Sequence, residues 1–171
     1  GLQKWVFPKL DEAESGKKAR RIYTYRNLIE LFEAATKNHS GRVAMRIERD
    51  GREERYTYAD FRECVLRAAA FLKSKGIKAG ERVALLSENS PEWGMAYFGI
   101  VRTGATTIPL EKESATSEIE RLLRLGEASA LLVSPRLLAE HPSLEKIEGV
   151  SVYSFEDVFP VLPQATEQQR I

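Results

Sequence analysis

A regular alternation of short apolar runs with helical stretches over residues 83–159 limits the fold of this chain more than any other feature. Helical patterns separate the runs, and the connections between them are short. Four runs have the length of buried strands, and they occupy residues 83–86, 105–110, 130–133 and 150–153. Strands that alternate with helices in this way predict a parallel sheet covered by helices.

Helix-capping residues mark where the intervening helices begin and end. Ser90 and Pro91 are expected to start a helix that continues through Arg102. The serine side chain can accept a hydrogen bond from a free backbone N–H group, and proline is well tolerated at the first helical position. Gly104 and Gly126 each follow a helical pattern and are expected to end it. Three further helical stretches are predicted at residues 117–125, 136–140 and 155–159. The first helix is apolar nearly all round, so we expect it to be buried between layers.

The N-terminal part predicts a helix and a β-hairpin ahead of the sheet. Apolar residues recur at helical spacing from Leu28, and the pattern ends before the polar residues 38–41. An Asp-Gly pair at residues 50–51 supplies the positive φ angles of a tight turn and would join strands at residues 43–49 and 53–56. The predicted class is therefore α/β, a parallel sheet flanked by helices with an N-terminal helix and hairpin.

The clearest helix begins after Thr57, which is a good N-cap with Asp60 three positions on. Its apolar spacing continues up to Gly76. We expect three segments in the chain: an extended arm at 1–23, an α/β domain at 24–160 and a polar tail at 161–171.

Charge and cysteine content exclude several classes of function. Lysines and arginines number 26 against 25 aspartates and glutamates, so no overall field favours nucleic acid or an acidic membrane. A local basic run is interpreted as a solvated linker and consists of Lys17, Lys18, Arg20, Arg21 and Arg26. No apolar run approaches the ~18 residues of a membrane span. The one cysteine excludes an internal disulfide and is typical of a reducing compartment, so we expect a cytoplasmic protein.

The residues that could carry chemistry do not form a site of their own. No glycine-rich phosphate loop is present, and His39 and His141 lie far apart without neighbours at metal-ligand spacing. Glu111 and Glu113 could act as a carboxylate pair, but alternating charges in a loop favour solvation. Cys64 falls in an apolar helical stripe and is expected to be a buried structural thiol. We therefore expect no catalytic residue and no metal site in this chain.

Ligands of parallel sheets bind beyond the carboxyl ends of the strands. Three loops are predicted at that edge, at residues 87–90, 111–116 and 134–136. Glu88, Asn89 and Ser90 form a polar cluster in the first loop, which a helix cap and turn explain fully.

Three sequence stretches carry a family resemblance. Residues 57–61 read TYADF, residues 80–93 read GERVALLSENSPEW, and residues 102–110 read RTGATTIPL. In order and spacing they resemble the opening of AMP-forming acyl-CoA synthetases, which belong to the adenylate-forming superfamily. The likeness covers residues 25–160 and implies that the chain is an incomplete N-terminal subdomain of that fold.

The resemblance implies a parent enzyme that activates a carboxylic acid, with long-chain fatty acids preferred, using Mg²⁺ and ATP. The acyl group would then pass from the acyl-adenylate to coenzyme A (CoA). In this family the phosphate loop and catalytic lysine follow the point where this chain stops at Ile171. The chain alone is accordingly expected to be inactive, to need no cofactor, and to have the remainder of the same polypeptide as its partner.

The family's CoA channel borders two loops of this part of the fold. By resemblance these correspond to Leu110 through Ser114 and to Arg136, whose guanidinium could bind CoA phosphates. Two alternatives stay open: a stand-alone interaction module with the same fold, and a small nucleotide-binding α/β domain, which predicts measurable ATP binding. A chain that lacks its covering half would also expose apolar surface, so we expect self-association.

Overall fold

The computed structural model describes residues 26–163. The arm predicted at 1–23 lies outside the described residues, as does most of the predicted tail. The helices are α1 (Leu28–Asn38), α2 (Tyr58–Ser74), α3 (Pro91–Arg102), α4 (Thr116–Leu125), α5 (Pro135–Glu140) and α6 (Phe155–Val158). The strands are β1 (Val43–Arg49), β2 (Arg52–Thr57), β3 (Arg82–Leu86), β4 (Thr106–Pro109), β5 (Ala130–Val133) and β6 (Ser151–Ser154).

The strands form two separate sheets. β3, β4, β5 and β6 make a four-stranded sheet in the order β4-β3-β5-β6, and every neighbouring pair in it is parallel. β1 and β2 form an antiparallel hairpin, and its turn residues Asp50 and Gly51 have φ angles of 50° and 72°. The predicted α/β class, with its parallel sheet, N-terminal helix and hairpin, is confirmed.

Helices cover both faces of the parallel sheet. Alternate strand residues point to opposite faces, and each set is fully buried. Val83, Leu85, Ala130 and Leu132 pack with α2, α3 and α6 on the first face. Ala84, Leu86, Leu131 and Val133 pack with α4, α5 and a 3₁₀ helix (Pro142–Lys146) on the second face. Strands buried on both sides explain why the apolar runs in the sequence are uninterrupted.

α1 is fixed against α2 and α3 by an aromatic contact and a shared carboxylate. The Phe32 and Phe98 rings stack with centroids 5.3 Å apart. The Glu33 carboxylate accepts a 2.6 Å hydrogen bond from Arg62 and also pairs with Arg102. Partial burial opposes its charge, but these two guanidinium groups hold the pKa of Glu33 below its usual value.

The helix caps predicted from sequence form as expected. Thr57 Oγ1 accepts from the Asp60 N–H at 3.1 Å, and the Asp60 carboxylate accepts from the Thr57 N–H at 2.8 Å. Ser90 Oγ accepts from the Trp93 N–H at 3.3 Å, with Pro91 in the first turn of α3. These bonds, which are reciprocal at Thr57 and Asp60, satisfy backbone donors that have no partner inside the helix.

Two local details differ from the predictions. The 3₁₀ helix after α5 was not predicted, because its five residues are too few to show a period. Gly126 follows α4, but its φ angle is −77°, and the positive φ of 48° falls on Glu127 instead. A Cβ at 126 would lie 2.6 Å from Ile108 Cδ1 and 3.1 Å from the Leu122 carbonyl oxygen, so a side chain there would displace the end of Ile108.

Candidate functional site

The carboxyl ends of the parallel strands meet at one edge of the sheet and bring the three predicted loops together. Leu110 N–H donates to Leu85 O at 2.9 Å, which ties the end of β4 to β3. Ser134 N–H donates to Leu86 O at 3.0 Å, which ties the end of β5 to β3 from the other side. The segments at 87–90, 111–116 and 134–136 therefore line one edge, as expected, although α4 already begins at Thr116 and α5 at Pro135.

The sheet has its topological switch point between β3 and β5. The chain leaves β3 through α3 on the first face to reach β4, and leaves the neighbouring β5 through α5 on the second face to reach β6. Where the outgoing connections of two neighbouring strands go to opposite faces, a crevice forms beyond the strand ends, and ligands of such folds bind there. We refer to the space between the loop at 87–90 and the start of α5 as the switch-point crevice.

Hydroxyl and carboxylate groups line the switch-point crevice. Ser87 is 7% exposed, and its Oγ donates to the carbonyl oxygen of Glu88 at 2.8 Å. Ser134 is 2% exposed, and its Oγ donates to Glu88 Oε2 at 2.6 Å. The same Ser134 Oγ accepts from the Leu137 N–H at 3.4 Å and so caps α5. The Glu88 carboxylate is thus bonded to the buried Ser134 hydroxyl, which caps α5.

This bridge was missed in the sequence, where Glu88 has an adequate local explanation as part of a turn. Glu88 and Ser134 lie 46 positions apart, and no periodic pattern connects them. The available signal was positional: both follow buried strands at their carboxyl ends. Neighbouring parallel strands place such residues at the same edge.

The three residues predicted for the CoA channel lie at this edge in different surroundings. Leu110 is 7% exposed, and its side chain packs in the core of the second face. Ser114 is half-buried, and its N–H donates to Glu111 O at 3.1 Å. The Arg136 side chain is 64% exposed and pairs with Glu140 at 3.1 Å. Because β3 lies between β4 and β5, the ends of β4 and β5 are about 10 Å apart. Their contact with CoA stays a prediction.

The other residues considered for chemistry are buried in the core, bonded to a neighbouring helix or exposed to solvent. Cys64 is fully buried, and burial raises the pKa of its thiol to about 11, so the thiol is protonated near neutral pH. His141 is half-buried, and its Nδ1 lies 2.7 Å from Thr116 Oγ1, so it joins α5 to α4 rather than lying free in a loop. Glu111 and Glu113 are exposed. Within the described range 26–163, no three His, Cys, Asp or Glu side chains are grouped to hold a metal.

An open pocket of about 480 Å³ lies beside the crevice at the carboxyl end of β6. Its lining includes the apolar Leu138 and Val152 and the acidic Glu145, Glu156 and Asp157. Among the described residues no lysine or arginine lines it, so the pocket disfavours phosphate groups.

No helix in the part of the chain that the structure describes is long and apolar enough to cross a bilayer.

Two curated relatives align with most of this chain but cover little of their own length. Crotonobetaine/carnitine–CoA ligase of Salmonella paratyphi A is 28% identical over 109 residues, which is 63% of this chain and 21% of the relative. The chloroplastic long-chain-fatty-acid–[acyl-carrier-protein] ligase of Arabidopsis thaliana is 27% identical over 119 residues, which is 70% of this chain and 16% of the relative. The chain spans about a fifth of the length of these relatives.

The fold also matches a solved structure. The Klebsiella oxytoca NpsA N-terminal subdomain, in complex with 3-hydroxyanthranilyl-AMSN, superposes with a TM-score of 0.67 at 20% identity. The match covers 86% of this chain and 35% of that chain, and at this identity it shows the fold alone. Residues 31–170 match the family described as AMP-binding enzyme. Since this match includes most of the sequence, the chain belongs to the AMP-binding enzyme family.

Proposed function

We propose that the whole protein is an ATP-dependent, AMP-forming acid–thiol ligase and that this chain is its first α/β portion. In the first step a carboxylate oxygen attacks the α-phosphate of ATP, which forms an acyl-adenylate and releases pyrophosphate. In the second step the thiol of CoA attacks the acyl carbon, which forms a thioester and releases AMP. The observation that carries the proposal is the family match over residues 31–170. The names of two aligned relatives, a CoA ligase and an acyl-carrier-protein ligase, support a thiol as the acceptor.

The role proposed for this chain is to build the sheet edge against which the reaction takes place. ATP and Mg²⁺ would be bound by residues outside this chain, and the chain alone would not turn over. The acid is proposed to be a long-chain fatty acid, which the name of the plant relative supports. Crotonobetaine and carnitine in the name of the bacterial relative make a short polar acid the alternative to test against it.

CoA is proposed as the acceptor, with Arg136 as a contact for its phosphates. Arg136 is exposed at the edge where ligands of parallel sheets bind, and within residues 26–163 its ion pair is with Glu140, one helical turn away. A solvent-exposed pair of this kind contributes little, so phosphate can displace Glu140 at small cost. The cytoplasmic location stays a prediction.

The experiment is a product assay on the complete polypeptide that contains this chain. It would be incubated with ATP, Mg²⁺ and a panel of acids from short to long, with either CoA or a phosphopantetheinylated carrier protein as acceptor. Mass spectrometry should detect acyl-CoA and AMP in equal amounts, with long-chain acids giving the highest kcat/KM. Thioester on the carrier protein alone would overturn CoA as acceptor. AMP formation without any thioester would contradict the acid–thiol ligase assignment.

A further inference from the structure

One side-chain bridge spans the switch-point crevice. Glu88 comes from the loop after β3, and Ser134 is the first residue after β5. The Ser134 hydroxyl donates to Glu88 Oε2 at 2.6 Å and accepts from the Leu137 N–H at 3.4 Å. The bridge therefore forms a relay of two hydrogen bonds from a carboxylate through a hydroxyl to the backbone of α5.

The burial of Ser134 makes the relay dependent on Glu88. Ser134 is 2% exposed, so water has little access to replace a lost acceptor. A buried hydroxyl without an acceptor is unfavourable and reorients towards another partner. The bond to Glu88 also holds the Ser134 side chain in its rotamer. Rotation about Cα–Cβ towards another acceptor would move the oxygen away from the Leu137 N–H, because the same oxygen serves both contacts. The start of α5 should then shift or fray.

Arg136 lies within that start, between the cap at Ser134 and the capped N–H at Leu137. Its guanidinium can hold a fixed place at the sheet edge only if the backbone on both sides of it is fixed. A carboxylate cannot itself bind a phosphate, since like charges repel. Glu88 is therefore suited to act through Ser134 rather than on a ligand directly.

We propose that Glu88 is a positioning residue, which fixes the first turn of α5 and so places Arg136 for an anionic acceptor at the switch-point crevice. The role in acceptor binding rests on the proposed function. The fixing of α5 does not, and the two can be tested separately.

The first test measures backbone hydrogen exchange in this chain, without any activity. Glu88→Ala is expected to raise the exchange rate of the Leu137 amide by about tenfold, because its buried capping bond is lost. Glu88→Gln should stay within about twofold of the wild type, since the amide oxygen still accepts from Ser134. Ser134→Ala should reproduce Glu88→Ala, and the double variant should add nothing further.

The chain offers a matched control in a second serine–glutamate bond. Ser143 Oγ donates to Glu120 Oε1 at 3.2 Å, but both residues are accessible to solvent. Water can replace that bond, so Glu120→Ala should leave exchange at Leu137 unchanged. An unchanged Leu137 rate in Glu88→Ala would overturn the proposal, as would a Glu88→Gln rate equal to that of Glu88→Ala.

The second test measures steady-state kinetics in the complete polypeptide. Glu88→Ala should raise the KM for CoA by about tenfold and leave kcat and the KM for the acid within about twofold, with rescue by Glu88→Gln. A lower kcat with an unaltered KM for CoA would overturn the role in acceptor binding. A wild-type enzyme that forms no thioester would refute the proposed function, while the exchange result would still decide whether Glu88 fixes α5.

Discussion

At the scale of single residues, an ion pair between a buried carboxylate and a partly exposed guanidinium joins the hairpin to the parallel sheet. Glu92 in the first turn of α3 is 7% exposed, and its Oε2 lies 2.5 Å from Arg49 Nη2 at the end of β1. The hydrogen bond to Glu92 raises the pKa of Arg49. Beside them, burial and then the 2.7 Å bond to Glu54 raise the pKa of the Tyr56 hydroxyl. The hairpin is therefore held by a polar network and not by apolar packing alone.

Arg49→Ala should destabilise the chain by about 2 kcal/mol, because it leaves the buried Glu92 carboxylate without its partner. Removing both charges in Arg49→Met with Glu92→Leu should recover most of that loss. Urea unfolding followed by far-ultraviolet circular dichroism measures both effects as shifts of the midpoint. Equal midpoints for wild type and Arg49→Ala would show that the pair contributes nothing.

Residue contacts were predictable where they are local in sequence. Thr57 with Asp60, and Ser90 with Trp93, are three positions apart, so the helix itself dictates that they meet. The Arg49–Glu92 and Glu88–Ser134 pairs are separated by 43 and 46 positions. Such pairs depend on how elements pack, and neither periodicity nor capping rules carry that information.

At the scale of elements, α2 and α3 pack closely because small residues face each other. A Cβ on Gly99 would lie 2.5 Å from Ala68 Cβ and 3.3 Å from the Val65 carbonyl oxygen. Neither neighbour can rotate away, since one is a β-carbon and the other is backbone. Gly94 is a milder case, because its Cβ would meet the flexible end of Met45 at 2.9 Å. The helix spacing is thus fixed chiefly at Gly99.

Gly99→Ala should destabilise the chain by about 1–3 kcal/mol, although alanine is the better helix former, because the added methyl forces the two helices apart. Gly41→Ala is the control, since nothing lies within 4 Å of a Cβ there. Thermal unfolding should show a lower Tm for Gly99→Ala and no loss for Gly41→Ala. A Tm for Gly99→Ala at or above that of the wild type would refute this packing.

Elements were predictable to the extent that their own residues specify them. The strands at 83–86 and 130–133 were predicted from apolar runs. Because both faces of these strands are buried, every residue in them is apolar and the run is continuous. The predicted helix at 117–125 begins one residue earlier, at Thr116, where the preceding Ala115 offers no side-chain cap to mark the start. The strand order β4-β3-β5-β6 could not be read from any single element.

At the scale of the whole molecule, the sheet order creates the crevice that the proposed function uses. Had β5 been added beyond β4, β3 and β5 would not be neighbours, and no switch point would exist between them. Apolar side chains also remain on the outer surface of the described residues, and they are Leu28, Leu31, Leu125 and Val161. The expected self-association stays a prediction, and light scattering that reports a monomer at high concentration would contradict it.

We propose that this chain forms the first sheet and its helices in an adenylate-forming ligase whose phosphate-binding residues lie outside it. Acid-dependent exchange of labelled pyrophosphate into ATP reports adenylate formation directly, before any thiol is needed. We predict exchange by the complete polypeptide with its preferred acid and none by the 171-residue chain alone at the same concentration. Exchange catalysed by the chain alone, or none by the complete polypeptide with any acid tested, would contradict the account.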